Sequence, residues 1–233
     1  MKRLCTICAR GGSKGIKNKN LRILCGKPLI AHSLLQAKRS GLFDAIAVSS
    51  DAQPILSAAE KWGADYCIRR PRTLATDRAP KLPAIQHCAR EAEALSGLRF
   101  DTFVDLDATA PLRIPQDLRE SVRLLETSGA SNLVTAMAAR KSPYFNMLEI
   151  NAHGFVRLCK KTPALVVRRQ DAPECFDMNA SIYIWRRSSF FRSRDVLLKK
   201  TLLYVMPEDR SIDIDTELDF KFVEFYATQR GIL

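Results

Sequence analysis

The sequence predicts an α/β fold, a mainly parallel sheet flanked by helices, and three observations carry the prediction. Short apolar runs alternate with helical patterns, proline or glycine punctuates each helical pattern, and the polar residues suited to chemistry follow the ends of the runs. Strands covered on both faces by helices read as continuous apolar runs rather than alternating ones, and the first runs have that character.

The order begins with Leu4 to Ala9, a buried strand, after which Pro28 opens a helical pattern through Leu29, Ile30, Ser33, Leu34 and Ala37 that Gly41 closes. Ala45 to Ser49 is a second strand and Pro54 to Trp62 a second helix ended by Gly63. Asp65 to Ile68 then reads as a short strand and Leu82 to Leu95 as a third helix. Phe103 to Leu106 is the next strand, Pro115 to Glu126 a helix with proline in its first turn, and Leu133 to Ala138 a strand. Here the pattern changes. Phe145 to Ile150, Phe155 to Leu158, Leu165 to Val167 and Ser181 to Trp185 are short strand-like runs joined by polar turns such as Asn151 to Gly154. Leu202 to Val205 and Thr216 to Tyr226 return to strand and helix. The expected organisation is therefore a core over 1–140 and 179–233 with a β-rich arm inserted over 141–178. Phe145, Phe155 and Val166 lie in a segment too short to bury them, which predicts that the arm pairs with a second copy of the chain.

A chain of 233 residues with 46% hydrophobic and 27% charged residues can close such a core without disulfides or a structural metal. The seven cysteines form no secreted framework, and Cys5 and Cys8 fall within one strand and face opposite sides, so reduced thiols are expected. The N-terminus has no signal-peptide core and no run reaches the ~20 apolar residues of a membrane span, which predicts a cytoplasmic protein. Lysine and arginine number 37 against 25 acidic residues, a net charge of +12 that favours anionic partners. The basic residues gather in loops without interleaved aromatics, unlike a single-strand nucleic-acid binder. A non-catalytic basic nucleic-acid-binding protein is the alternative from another class.

Right-handed crossovers place a ligand crevice at the carboxyl ends of parallel strands, and the polar motifs fall there. Ala9-Arg10-Gly11-Gly12-Ser13-Lys14-Gly15 follows the first strand, with Lys19-Asn20 beyond it. Glycines allow backbone N–H groups close to phosphate oxygens while Arg10 and Lys14 neutralise charge; the competing reading is a glycine turn with solvated lysines. In Ser211-Ile212-Asp213-Ile214-Asp215-Thr216, alternation puts both carboxylates on one side, as one hard cation requires. Asp215 or Thr216 can equally cap the last helix. Asp107 ends a strand and suits a sugar hydroxyl, a cytosine amino group or a metal, and Arg113 suits a carboxylate; either can also be a turn-former. Arg169, Asn179 and Tyr183 offer guanidinium, amide and phenol to a polar ligand, or belong to a solvated hairpin. The three histidines show no zinc spacing and there is no nucleophile elbow, so hydrolase chemistry has no support.

Taken together, A-R-G-G-S-K-G with K-N, G-K-P-L-I, T-x-P-L-R, N-A-S-I-Y and D-I-D-T-E-L-D-F resembles the acylneuraminate cytidylyltransferases, the CMP-sialic acid synthetases, from Arg10 to about Phe220. Through I-C-A-R-G-G-S-K-G, D-L-D-A-T-A-P-L-R and D-M-N-A-S-I-Y it looks most like the bacterial enzymes that act on N,N'-diacetyllegionaminic acid. The resemblance implies a Rossmann-like domain of the nucleotide-diphospho-sugar transferase type whose arm makes a homodimer. It implies transfer of CMP from CTP to the anomeric hydroxyl of a nine-carbon 2-keto acid, a nonulosonic acid, with Mg²⁺ or Mn²⁺. By motif, Arg10, Ser13, Lys14, Lys19 and Asn20 would hold triphosphate and ribose, and Arg70 with the loop to Lys81 would flank cytosine. Asp213 and Asp215 would bind the metal, with Arg10, Lys14 and Asp215 catalytic, and Asp107, Arg169, Asn179 and Tyr183 would line the acceptor. Family members acting on N-acetylneuraminate commonly show L-Q-P-T-S-P-L-R where this chain has Asp107-Ala108, which points away from that sugar. N-acetylneuraminate, pseudaminic acid and the eight-carbon keto-deoxyoctulosonate are the alternative acceptors.

Overall fold

The computed structural model describes residues 1–162 and 167–233. Strand β1 (Arg3–Cys8) is buried along nearly its whole length, as a central strand between two helical layers must be. A small ribbon, β2 (Ile23–Leu24) with β3 (Lys27–Pro28), leads into α1 (Leu29–Ser40), which stops where Gly41 takes the left-handed conformation at φ 68°. Then come β4 (Ala45–Ser50), α2 (Gln53–Lys61), β5 (Tyr66–Arg69), α3 (Lys81–Ser96), β6 (Thr102–Leu106), α4 (Pro115–Glu126) and β7 (Asn132–Ala138). Every strand and helix expected over this stretch is present within a residue or two, because each is long, strongly periodic and punctuated.

The next segment departs further. Strands β8 (Leu148–Ile150) and β9 (Val156–Leu158) form an antiparallel hairpin, while Phe145 sits in the turn before it. Of the expected run Leu165 to Val167, Leu165 and Val166 lie outside the described residues and Val167 is not in a strand. Strand β10 (Phe176–Arg186) is longer than the expected Ser181 to Trp185 and starts within the predicted arm. It is followed by the short α5 (Arg187–Phe190), β11 (Thr201–Val205) and α6 (Glu217–Arg230).

The main sheet has the order β11-β7-β10-β6-β1-β4-β5. All neighbours run parallel except β10, which is antiparallel to both β6 and β7. On one face α1, α2 and α4 bury Ile30, Leu34, Ile55, Leu56, Leu118 and Val122 against Ile7, Val48 and Leu106. On the other, α3 and α5 pack on Phe103, Tyr183 and Trp185, with Phe103 and Phe190 stacked at 4.2 Å. A third cluster joins α6 to the glycine-rich loop through Ile16, Leu24, Ile214, Phe220 and Val223. The fold is thus the mainly parallel α/β sheet that the sequence predicts. Among the described residues no helix is long and apolar enough to cross a membrane.

Candidate active site

At the carboxyl ends of β1, β5 and β6 lies a cleft of about 600 Å³. Its walls come from the loop after β1 (Arg10, Ser13, Lys14, Gly15, Lys19, Asn20), from Arg70 to Lys81, and from Asp107, Thr109, Ala180, Asp213 and Asp215. The parallel strands all end on this side, so their loops converge here.

The glycine-rich loop is held from both ends. Asn20, 6% exposed, donates its amide to the Arg10 carbonyl at 3.0 Å, which pins the loop's return. At Gly15, a Cβ would overlap the Asp215 carbonyl oxygen, so only glycine lets the loop lie against the segment carrying the aspartates. Lys19 crosses the same junction, donating to the Ile214 carbonyl at 2.6 Å and to Asp215 Oδ1 at 3.0 Å. The competing picture of freely solvated lysines does not describe Lys19, whose side chain is 13% exposed.

The aspartate pair follows from the alternation of its segment. Ile214 is fully buried in the α6 cluster and its N–H donates to the Thr109 carbonyl at 2.8 Å, which turns Asp213 and Asp215 to the cleft. Upstream, Arg210 grips the buried Asp117 of α4 through two hydrogen bonds of 2.9 and 3.0 Å. Downstream, Thr216 caps α6 in a reciprocal box with Asp219, whose carboxylate also accepts from the Asp215 N–H at 3.1 Å. Thr216 rather than Asp215 is therefore the cap. Burial and the negative charge of Asp215 raise the Asp213 carboxyl above its usual range. A hard cation would relieve that repulsion, and a pair of carboxylates is an oxygen donor set that suits Mg²⁺.

Lys81 and Asp107 meet in an ion pair at 2.8 Å, with Asp105 Oδ2 at 3.3 Å and the Tyr183 ring face at 4.5 Å from the ammonium. Burial would lower the Lys81 ammonium, yet Asp107 and Asp105 hold it well above its usual value. Burial would likewise raise Asp107, but Lys81 and the Thr109 donors keep it well below the carboxylate range. Asp105 accepts from Thr6 Oγ1 at 2.8 Å, and burial dominates its upward shift.

Other expected residues lie elsewhere or turn inward. Arg113 is 1% exposed and donates to Gln36 at 2.9 Å, to the Ser181 carbonyl and Ser33 at 2.5 Å each, and to the Asp107 carbonyl, so it meets no ligand carboxylate. It braces the turn that presents Asp107. Arg70 is similarly turned back, to the Ser49 carbonyl at 2.8 Å, although it lines the cleft. Asn179 accepts from Thr135 at 2.7 Å and donates to Ser211 at 3.0 Å, tying β10 to β7 and to the aspartate segment rather than facing the cleft. Tyr183 is buried beneath Lys81. Arg169 lines a second cavity, of about 530 Å³, with Lys141, Ser142 and Gln170.

Residues not singled out from the sequence complete the cleft. Asp77 accepts from Arg10 and forms an ion pair with Lys14 at 2.7 Å. Lys14 and then Arg10 pull its carboxyl below the usual range. Ala180, at φ 52°, turns β10 at the cleft wall. The sequence signal for Asp77 was a lone acid within the basic stretch Arg69 to Lys81.

A family model for cytidylyltransferases matches residues 4–226. Over 229 residues the chain is 44% identical to the CMP-N,N'-diacetyllegionaminic acid synthase of Campylobacter jejuni subsp. jejuni serotype O:2, covering 98% of this chain and 96% of the relative. It is 41% identical, with coverage of 98% and 96%, to the post-translational flagellin modification protein B of Campylobacter coli. The solved structure of CMP:2-keto-3-deoxy-manno-octonic acid synthetase complexed with CTP is 16% identical and shares the fold, with a TM-score of 0.69 over 99% of this chain and 100% of that one. The family match spans all of the loops that build the cleft, and the chain belongs to the cytidylyltransferase family.

Proposed function

We propose that the chain transfers CMP from CTP to the anomeric hydroxyl of a nine-carbon 2-keto sugar acid, N,N'-diacetyllegionaminic acid, and releases pyrophosphate. The observation that carries this reading is the cleft itself, which gathers Arg10, Lys14, Asp213 and Asp215 at the strand ends, with Lys19 bridging the glycine-rich loop to Asp215. The 44% identity with a synthase of that product supports the choice of acceptor.

The reaction is in-line attack of the sugar oxygen on the α-phosphorus. The bond from that phosphorus to the β-phosphate oxygen breaks, and the hydroxyl proton passes to base or solvent. Such chemistry depends mostly on positioning and on charge neutralisation. Arg10, Ser13 and Lys14 serve the departing phosphates, Lys19 and Asn20 fix the loop that carries them, and the Arg70 to Lys81 wall borders the base. Asp107, kept ionised by Lys81, accepts a hydroxyl of the incoming sugar. Asn179 and Tyr183 act as positioning residues behind that contact, and Arg169 belongs to acceptor handling at the arm. Mg²⁺ or Mn²⁺ would be held by Asp213 and Asp215, and when bound it supplies positive charge to the phosphates.

A homodimer formed through the arm is part of the proposal, supported by the exposed Leu148, Ile150, Phe155 and Val156 of the hairpin. So is a cytoplasmic location, supported by seven free thiols. The deciding experiment is pyrophosphate release with CTP and Mg²⁺, offering N,N'-diacetyllegionaminate, pseudaminate, N-acetylneuraminate or no sugar. Fastest turnover with the first is expected; equal or greater turnover with N-acetylneuraminate would overturn the acceptor, and no turnover with any sugar would overturn the reaction.

A further inference from the structure

Arg10 and Lys14 are not idle cations waiting in solvent. Both are engaged by one carboxylate, that of Asp77, which lies across them where they face the cleft. Asp77 sits in the loop between β5 and α3, and the backbone hydrogen bonds found within this loop are local turns, Leu74 to Pro71, Ala75 to Arg72 and Ala79 to Thr76. Its own side chain is 42% exposed. Asp77 therefore meets the glycine-rich loop through two exposed ion pairs of modest strength, which a polyanion can replace.

We infer that Asp77 is a charge placeholder: its carboxylate occupies the triphosphate cations in the empty enzyme, yields them to CTP, and takes them back as pyrophosphate leaves. The inference rests on the triphosphate reading of Arg10 and Lys14 given above. A loop cation pair left bare would bind the product pyrophosphate about as readily as the same phosphates in the substrate. A competing carboxylate weakens both, and since chemistry has already been completed when pyrophosphate is released, the benefit falls on turnover.

The test is titration calorimetry of inorganic pyrophosphate and of CTP, with Mg²⁺, into the full chain and the variants Asp77→Asn and Asp77→Glu, alongside steady-state kinetics. Asp77→Asn is expected to bind pyrophosphate about two- to tenfold more tightly, the range for removing two exposed ion pairs, to lower KM for CTP, and to be inhibited by lower pyrophosphate concentrations. Asp77→Glu should behave as the parent, since the charge is retained. Equal or weaker pyrophosphate binding by Asp77→Asn, or equal tightening by Asp77→Glu, would overturn the placeholder role. Failure of the triphosphate reading shows separately, as unchanged CTP binding when Arg10 and Lys14 are both replaced by Met in a chain of parental thermal midpoint.

Discussion

Lys81 answers two carboxylates with one ammonium, and this sets both its energetics and its meaning. Removing it leaves Asp105 and Asp107 facing one another in a buried setting, so Lys81→Met is expected to cost roughly 2–3 kcal/mol in urea unfolding. That lies below the range for a wholly buried pair because the Lys81 side chain is 29% exposed. His32 gives the pH counterpart. Burial holds its imidazole below its usual value, while its Nε2 is paired with the Leu24 carbonyl at 2.9 Å. The unfolded chain then binds the proton first, so stability is lost as pH falls below about 6.5. The urea midpoint should drop between pH 8 and pH 5.5 in the parent and drop less in His32→Gln. An equal fall in both would rule out this source. Neither role was readable from residue type alone. Lys81 and Asp107 stand 26 positions apart, and only the sheet's register brings base-side and sugar-side candidates into one pair.

At the level of elements, the glycine-rich loop and the start of α6 behave as one mechanical part. Because Gly15 rests on the Asp215 carbonyl, Gly15→Ala is expected to push the two apart and reduce kcat/KM for CTP by at least ~10², the scale of losing an electrostatic stabiliser. Parental kinetics would show that the contact is dispensable. The Thr216 cap anchors the other side, and Thr216→Ala should cost about 1 kcal/mol of stability in chemical denaturation. Asp213→Asn or Asp215→Asn should each lower kcat by at least ~10²; near-parental activity in both would refute the proposed metal site. The alternation around Ile214 was readable because a period of two fixes which side chains share a face. The inward turn of Arg113 and Asn179 was not, since a polar residue after a strand reads the same whether it meets a ligand or braces the backbone.

For the whole molecule, helices and parallel strands are legible in the sequence because their apolar runs and their glycine and proline punctuation agree. The arm is less legible because its strands are three residues long and, among the described residues, Leu148, Ile150, Phe155 and Val156 stay exposed. If those residues pair two copies, replacing Phe155 and Val156 together by Lys should turn a dimer into a monomer in light scattering while leaving the thermal transition of the core in place. A monomeric parent would end that proposal. The reversed direction of β10 gives the arm a further significance. A strand running against its neighbours enters the sheet at the edge where theirs leave it, so the chain arriving from the arm comes in beside the cleft. If the acceptor binds where proposed, lengthening or reshaping the arm would alter its approach while leaving the α/β core layers in place.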